Sequence, residues 1–321
     1  MKLFSENFRE IKSDEELNSL CNSYSDYDRS YLCQATYGLR KKVRAWMEDL
    51  WTQYEPYADR HFLEEFRRQF TQRAWELYLG TTLLNRGFKL GLRKDDGPDF
   101  HILNDKNSTL CWIEAIAVTK GTGPDKVPEL VYKGVSNIPT DEIVLRISNG
   151  LNVKYKKYLS DCEKGLIREN EPYVIALDRS ELDHLDVLLP NILKALFGVG
   201  NLALRIRVGG KRVKNPENFW THEPIINKRS GESVSMHFFD NISHSGISAV
   251  IYSRDGVINS PRKSNEMGEN FFIVHNPQAK NPLPSGFFPF GEEYTAKAGF
   301  IQKTRKNADF SYPDPFEHLN D

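Results

Sequence analysis

The sequence predicts an α/β chain of the α+β sort, a central mixed sheet flanked by helices. Three observations carry this. A long helical period runs from His61 to about Arg86, where Gly87 stops it. Three short extended segments follow, joined by turn-rich links. After them, helical stretches alternate with apolar strand-like runs.

The chain has 321 residues, of which 39% are hydrophobic and 27% charged, so it can bury a sizeable core. The net charge of -1 gives no whole-molecule attraction to nucleic acid, so any basic surface has to be local. Cys21, Cys33, Cys111 and Cys162 form no CxxC pair and no zinc-finger spacing, and read as reduced thiols. Met1 to Lys12 mixes charge and aromatics unlike a signal peptide, and no apolar run approaches the ~20 residues that span a bilayer. The expectation is a cytoplasmic protein with no membrane partner.

Residues 1 to about 60 read as helical and aromatic-rich, with Leu39 to Trp46 as a basic amphipathic helix whose charges face solvent. In the helix from His61, Phe62, Phe66, Phe70, Ala74, Leu77 and Leu84 share one face, and Glu76 lies on its flank beside Leu83. Extended segments at about 88–93, 98–103 and 109–119 form a meander. A Gly/Pro-rich loop, Gly121 to Pro128, lacks the lysine of a phosphate-binding loop. A helix at about 141–160 follows, then a buried strand at 172–177, a helix at 183–197 and a strand at 202–208. Ile247 to Ser253 and Phe271 to His275 read as two further strands around a polar loop, and the tail from Lys303 as polar and loose.

Three residues are out of place for a plain core. Glu114 stands in a strand apolar on both faces, where an ionised carboxylate costs several kcal/mol unless compensated. Pairing Leu103 with Leu110 across a hairpin at 104–108 sets Asp99 opposite Glu114, with Cβ atoms ~5 Å apart. Two carboxylates that close repel unless a cation lies between them or one is protonated, and hard oxygen donors suit Mg²⁺ or Mn²⁺. Glu76, from the preceding helix, is a third ligand or a water-mediated one. Lys154 projects into the middle of the apolar face made by Ile143, Ile147, Leu151 and Tyr158, where a lysine needs a buried anionic partner. The Asp99/Glu114 pair is the nearest.

A helix with Glu76, then Gly97-Pro98-Asp99-Phe100, then Trp112-Ile113-Glu114-Ala115-Ile116, then a helix and a strand, resembles the PD-(D/E)XK nuclease superfamily over about residues 61–178. The resemblance implies a restriction-endonuclease-like core at 61–210, a helical N-terminal extension at 1–60 and a C-terminal α+β extension at 211–321 packed on the core. It implies Mg²⁺ or Mn²⁺ held by Asp99 and Glu114, with Glu76, and phosphodiester hydrolysis of DNA, in restriction or phage defence, by a monomer or a homodimer. Position 116, where the family carries a lysine, is isoleucine. Some members supply that lysine from the following helix, the role Lys154 would fill. Lys120 is ~20 Å from Glu114 along a strand, which is too far. Arg146, nearer the edge of the helix face, is a weaker substitute.

Arg205, Arg207, Lys211 and Arg212, in the densest basic stretch, read as candidate nucleic-acid contacts or as solvated charges of a strand and turn. His237, His244 and His275 are too loosely spaced for an HNH site, and no nucleophile elbow is present. The competing functions are a nuclease-fold module that lost catalysis with the strand lysine and now binds nucleic acid or a protein, and a structural ion pair in an unrelated fold.

Overall fold

The computed structural model describes residues 1–4, 8–93, 96–131, 137–182, 184, 186, 190–205, 217–254, 261–297 and 300–305. The chain opens with five helices: α1 (Asp14–Ser23), α2 (Arg29–Thr36), α3 (Lys41–Tyr54), α4 (Phe62–Arg68) and α5 (Phe70–Asn85). Ser13 caps α1, accepting from the Glu16 amide at 3.3 Å, and Asp14, Glu15 and Glu16 complement the helix dipole.

The expected single helix from His61 to Arg86 is two helices, broken at Gln69. The break comes from outside the segment. Asp28, which caps α2 through Ser30, donates its own amide to Arg67 O at 2.7 Å and accepts from the Phe70 amide at 3.2 Å. A residue distant in sequence thus supplies the bonds that a continuous helix would have made for itself.

Next come β1 (Lys89–Leu90), β2 (Phe100–Leu103), β3 (Thr109–Ala117), the long helix α6 (Thr140–Glu163), β4 (Tyr173–Asp178), α7 (Asn191–Phe197) and β5 (Val199–Arg205). The first extended segment is shorter than expected, two residues rather than six. So is the helix expected at 183–197, because Pro190 fixes its cap just before Asn191. The remaining strands are β6 (Glu217–His222), β7 (Ile225–Asn227), β8 (Ser233–Ser235), β9 (Ala249–Ser253), β10 (Phe271–His275), β11 (Glu292–Lys297) and β12 (Phe300–Arg305).

One eight-stranded mixed sheet organises the molecule, in the order β1-β2-β3-β4-β9-β10-β11-β12. The run β3, β4, β9 is parallel, as is β10 with β11, and the other pairs are antiparallel. The C-terminal strands therefore do more than pack on the core. Half of the sheet is built from them, joined to it by direct pairing of β4 with β9. β5 and β6 form a separate two-stranded sheet, and β7 and β8 another. Of the tail from Lys303, expected to be loose, the described part belongs to β12, with the Lys303 side chain 1% exposed and paired with Glu292 at 2.9 Å, and residues 306–321 lie outside the described residues.

The N-terminal helices cover one face of the sheet, with Cys111, Ile113 and Ala115 of β3 in their core. Helices α6 and α7 cover the other, with Val118, Ile175, Leu177 and Tyr252 in theirs and Trp112 and Ile116 packed against it. Alternation along β3 puts Glu114 on the α6 side. Gly150 lets α6 settle there: a Cβ at that position would stand 2.7 Å from Val118 Cγ1. Lys154 follows one turn later on the same face.

The β2–β3 register matches Phe100 with Ile113, His101 with Trp112 and Ile102 with Cys111, so continuing it sets Asp99 opposite Glu114. The expected match of Leu103 with Leu110 does not occur. A bulge shifts Leu103 onto Thr109 and leaves Leu110 36% exposed. Among the described residues, no helix is long and apolar enough to cross a membrane.

Candidate functional site

Strand β2 begins opposite Ile113, so β3 runs on past Glu114 with no partner on that edge. The amides of Trp112, in β3, and of Val118, just past its end, point to the β4 side, bonding Pro172 O and Asp178 O. The amides of Ala115 and Ala117 point to the uncovered side, and side chains satisfy them. Asp99 Oδ2 accepts from Ala115 at 2.7 Å, and Gln72 Oε1, from α5, accepts from Ala117 at 2.8 Å. Gln72 Nε2 donates back to Ala115 O at 3.3 Å. The gap where β2 stops is a cavity of about 590 Å³, lined by Gln72, Glu76, Asp99, Glu114, Lys154 and Lys157 among others.

Asp99 is aimed into the gap by the Gly97-Pro98 turn, in which Gly97 takes φ 110°, a conformation open to glycine. It is 8% exposed, and its Oδ1 accepts from Arg93 at 2.7 Å. Glu114, 1% exposed, receives Lys154 Nζ at Oε1 at 2.6 Å. Lys157 Nζ stands 3.1 Å from Oε2 without hydrogen-bond alignment, so that buried oxygen has no hydrogen-bond partner. Lys157 is better engaged with Asp161 at 2.8 Å and Gly97 O at 2.9 Å. Burial raises the pKa of Glu114, and the charge of Asp99 adds to the rise; the two lysines oppose it without cancelling it. Burial works against the charge on Lys157, but Glu114 and Asp161 outweigh it and hold its pKa above the usual lysine range.

Glu76 arrives from the opposite face, on α5. Its Oε1 accepts from Tyr54 at 3.0 Å and from Arg93, and its Oε2 from Arg73 at 2.7 Å. Arg93 also reaches Asp59 at 3.0 Å, and Arg73 reaches Asp59 at 2.8 Å and Glu65. Burial, then the charge of Asp99, pushes Glu76 up to about 7. The ion pairs fall into two groups that meet at the cavity: Asp59, Glu65, Glu76 and Asp99 with Arg73 and Arg93, and Glu114 and Asp161 with Lys154 and Lys157.

The structure thus brings Asp99, Glu114 and Lys154 together as the sequence predicts. It differs over Glu76, which shares the cavity but has both oxygens committed to Arg73, Arg93 and Tyr54, away from a shared ligand position. Glu76, Asp99 and Glu114 do not bring ligand atoms within 4.8 Å of one another; among the described residues the trio that does is His222, His237 and Asp240. Sequence reasoning missed Arg93 and Lys157. Lys157 had a visible signal, three residues beyond Lys154 on the same helix face. Arg93 had none, because its three acidic partners, Asp59, Glu76 and Asp99, come from separate parts of the chain.

Arg146 stands apart from the cavity, donating to Thr119 O at 2.9 Å and packing against Gly121. Arg207, Lys211, Arg212 and the side chain of Arg205 lie outside the described residues. His244 bonds Phe238 O at 2.8 Å and His275 bonds Glu293 at 2.7 Å, so neither joins His237 in one site. A second cavity of about 1030 Å³ adjoins the first through Asp28, Thr71, Thr119 and Glu181. Arg29 and Arg40 of the N-terminal helices and Lys120 and Lys126 of the loop after β3 lie along it.

Comparison with protein-family models, with curated proteins and with solved structures returns no match.

Proposed function

We propose that the gap beside β3 is the active centre of a divalent-metal-dependent nuclease that hydrolyses phosphodiester bonds of DNA. One observation carries the reading. Glu114, buried in a central strand, has an oxygen without a hydrogen-bond partner and stands under the charge of Asp99, beside a cavity that adjoins a second, larger one. A buried carboxylate oxygen with spare acceptor capacity, facing a cavity, can take a cationic ligand, and this supports the reading.

Asp99 and Glu114 are the residues that would hold Mg²⁺ or Mn²⁺, as all-oxygen donors suited to a hard cation. The ion supplies Lewis acidity toward a phosphoryl oxygen and makes water more acidic. The protein's own groups do the rest. Ala115 and Arg93 hold the Asp99 carboxylate in one orientation. Lys154 and Lys157 present two ammonium groups at Glu114, where they can neutralise negative charge developing on a phosphate in a water-poor site. Glu76 holds Arg93 in place. The adjoining cavity, with Arg29, Arg40, Lys120 and Lys126 along it, supplies cations that could meet the flanking phosphates.

The second reading, a binding module on the same fold, is favoured by Ile116, which lines the cavity where the strand lysine of the resembled family would stand. Cleavage of single- and double-stranded DNA and of RNA, with Mg²⁺, Mn²⁺ or EDTA, tests both. Metal-dependent cleavage of DNA, lost in the Asp99→Asn, Glu114→Gln double variant, is expected. Binding without cleavage under every condition leaves the module reading; cleavage that persists in the double variant sinks the assignment of the centre.

A further inference from the structure

We infer that His222, His237 and Asp240 form a zinc-class metal site beside α7, and that it clamps the β5–β6 hairpin to the body of the protein. One ligand atom from each residue lies within 4.8 Å of the other two. His237 Nδ1 and Asp240 Oδ2 are 3.5 Å apart. A tetrahedral ion with bonds of about 2.0–2.2 Å sets its ligand atoms about 3.3–3.6 Å apart, so that edge already has the right length. The rings of His222 and His237 stand 5.4 Å apart and tilted by 55°, converging rather than stacked.

The backbone on both sides is fixed. His222 ends β6 opposite Val199, and Gly198, at φ 62°, leaves it room: a Cβ there would stand 3.2 Å from His222 Nε2. The two segments carrying the histidines are fastened beside the site, the Met236 amide donating to Pro224 O at 2.7 Å. The Phe239 amide donates to Leu196 O at 2.9 Å, and the Phe239 ring is fully buried, which anchors the stretch to α7. The Asn241 amide donates to His237 O at 3.1 Å, closing the turn that sets Asp240 beside His237.

Two imidazoles and one carboxylate select a borderline ion such as Zn²⁺ over Mg²⁺. With His222 and Asp240 exposed, a fourth position stays open to water. The bound ion ties the base of a two-stranded sheet, which lies outside the main sheet, to the segment packed on α7. The donor set shares no residue with the acidic centre, so the two assignments stand or fall separately.

The test is calorimetric titration of the untagged full-length protein with ZnCl₂ in excess MgCl₂. One equivalent is expected, with a rise in Tm. His222→Ala and His237→Ala should each weaken binding about 100-fold or more and abolish the rise, with far-UV circular dichroism unchanged. Co²⁺ in place of Zn²⁺ should give the visible absorption of a four-coordinate ion, absent in both variants. Glu114→Gln should bind zinc like the wild type. Absence of saturable one-to-one binding, or binding unchanged in both histidine variants, overturns the site.

Discussion

Glu76 and Glu114 are buried alike, each 1% exposed, yet one is finished and the other is not. Every oxygen of Glu76 meets a donor: Tyr54 and Arg93 on one side, Arg73 on the other. Glu114 meets Lys154 on one oxygen, and its other oxygen has only an unaligned lysine nearby. They belong to neighbouring ion-pair groups, Glu76 with Arg73 and Arg93, and Glu114 with Lys154 and Lys157. Burial alone therefore does not mark a site. What separates the two carboxylates is unused hydrogen-bonding capacity facing a cavity, and that capacity is what the proposed function rests on.

The largest effect that would test this contrast is on stability. Arg93 neutralises Glu76, Asp99 and Asp59 together. Arg93→Met should destabilise the fold by about 3–5 kcal/mol at pH 8, read by urea denaturation, because buried carboxylates lose their cation. Mn²⁺ should recover more stability in this variant than in the wild type. A loss under about 1 kcal/mol, on the scale of an exposed pair, would mean the scaffold side of the network is not held by Arg93.

The second effect is on chemistry. On the proposed function, Lys154→Met should lower the cleavage rate about 10²–10³-fold while metal binding survives, because that reading has the lysine neutralise charge and the carboxylates hold the ion. Adding Ile116→Lys to that variant should return part of the rate, because position 116 faces the same side of β3 as Glu114, two residues on. Single-turnover kinetics reads both. No recovery would show that α6, and not the strand, is the required direction of approach.

The smallest effect is on the pH profile. Glu76 is raised from the ordinary 4.5 to about 7, by burial first and by Asp99 second. A carboxyl raised on folding contributes stability that is fully present below 4.5 and is lost as pH climbs through about 7. Stability should thus fall across that window by on the order of 1–3 kcal/mol. In Glu76→Gln the slope should flatten. An unchanged slope would assign it to another group, with Glu114 the first to examine.

Much of the acidic centre was legible because it follows local rules. Period-two alternation placed Asp99 and Glu114 on one face, and the helical period placed Lys154 at the middle of the α6 face. The register of β2 with β3 survived a bulge that the sequence did not announce, because the bulge falls at Leu103, on the turn side of the pairs that matter. What escaped is non-local. Asp28 breaks a helix from across the molecule, Arg93 joins acids from three elements, and β9 finds β4 over a separation that leaves no mark on either strand's pattern. Position 116 marks where the resemblance departs, and Lys154 and Lys157 of α6 are the lysines that stand at Glu114.

The short β2 has one more consequence. Hydrogen exchange of most sheet amides waits on the separation of strands, a large cooperative opening. The amides of Ala115 and Ala117 wait only on the swing of a carboxylate and a glutamine side chain. They should exchange through small fluctuations, well before their neighbours on the β4 side. Anything that immobilises Asp99 should slow Ala115 and leave Ala117 to Gln72. Two adjacent outward amides of one strand thus time two different motions, one belonging to the acidic centre and one to the helix beside it.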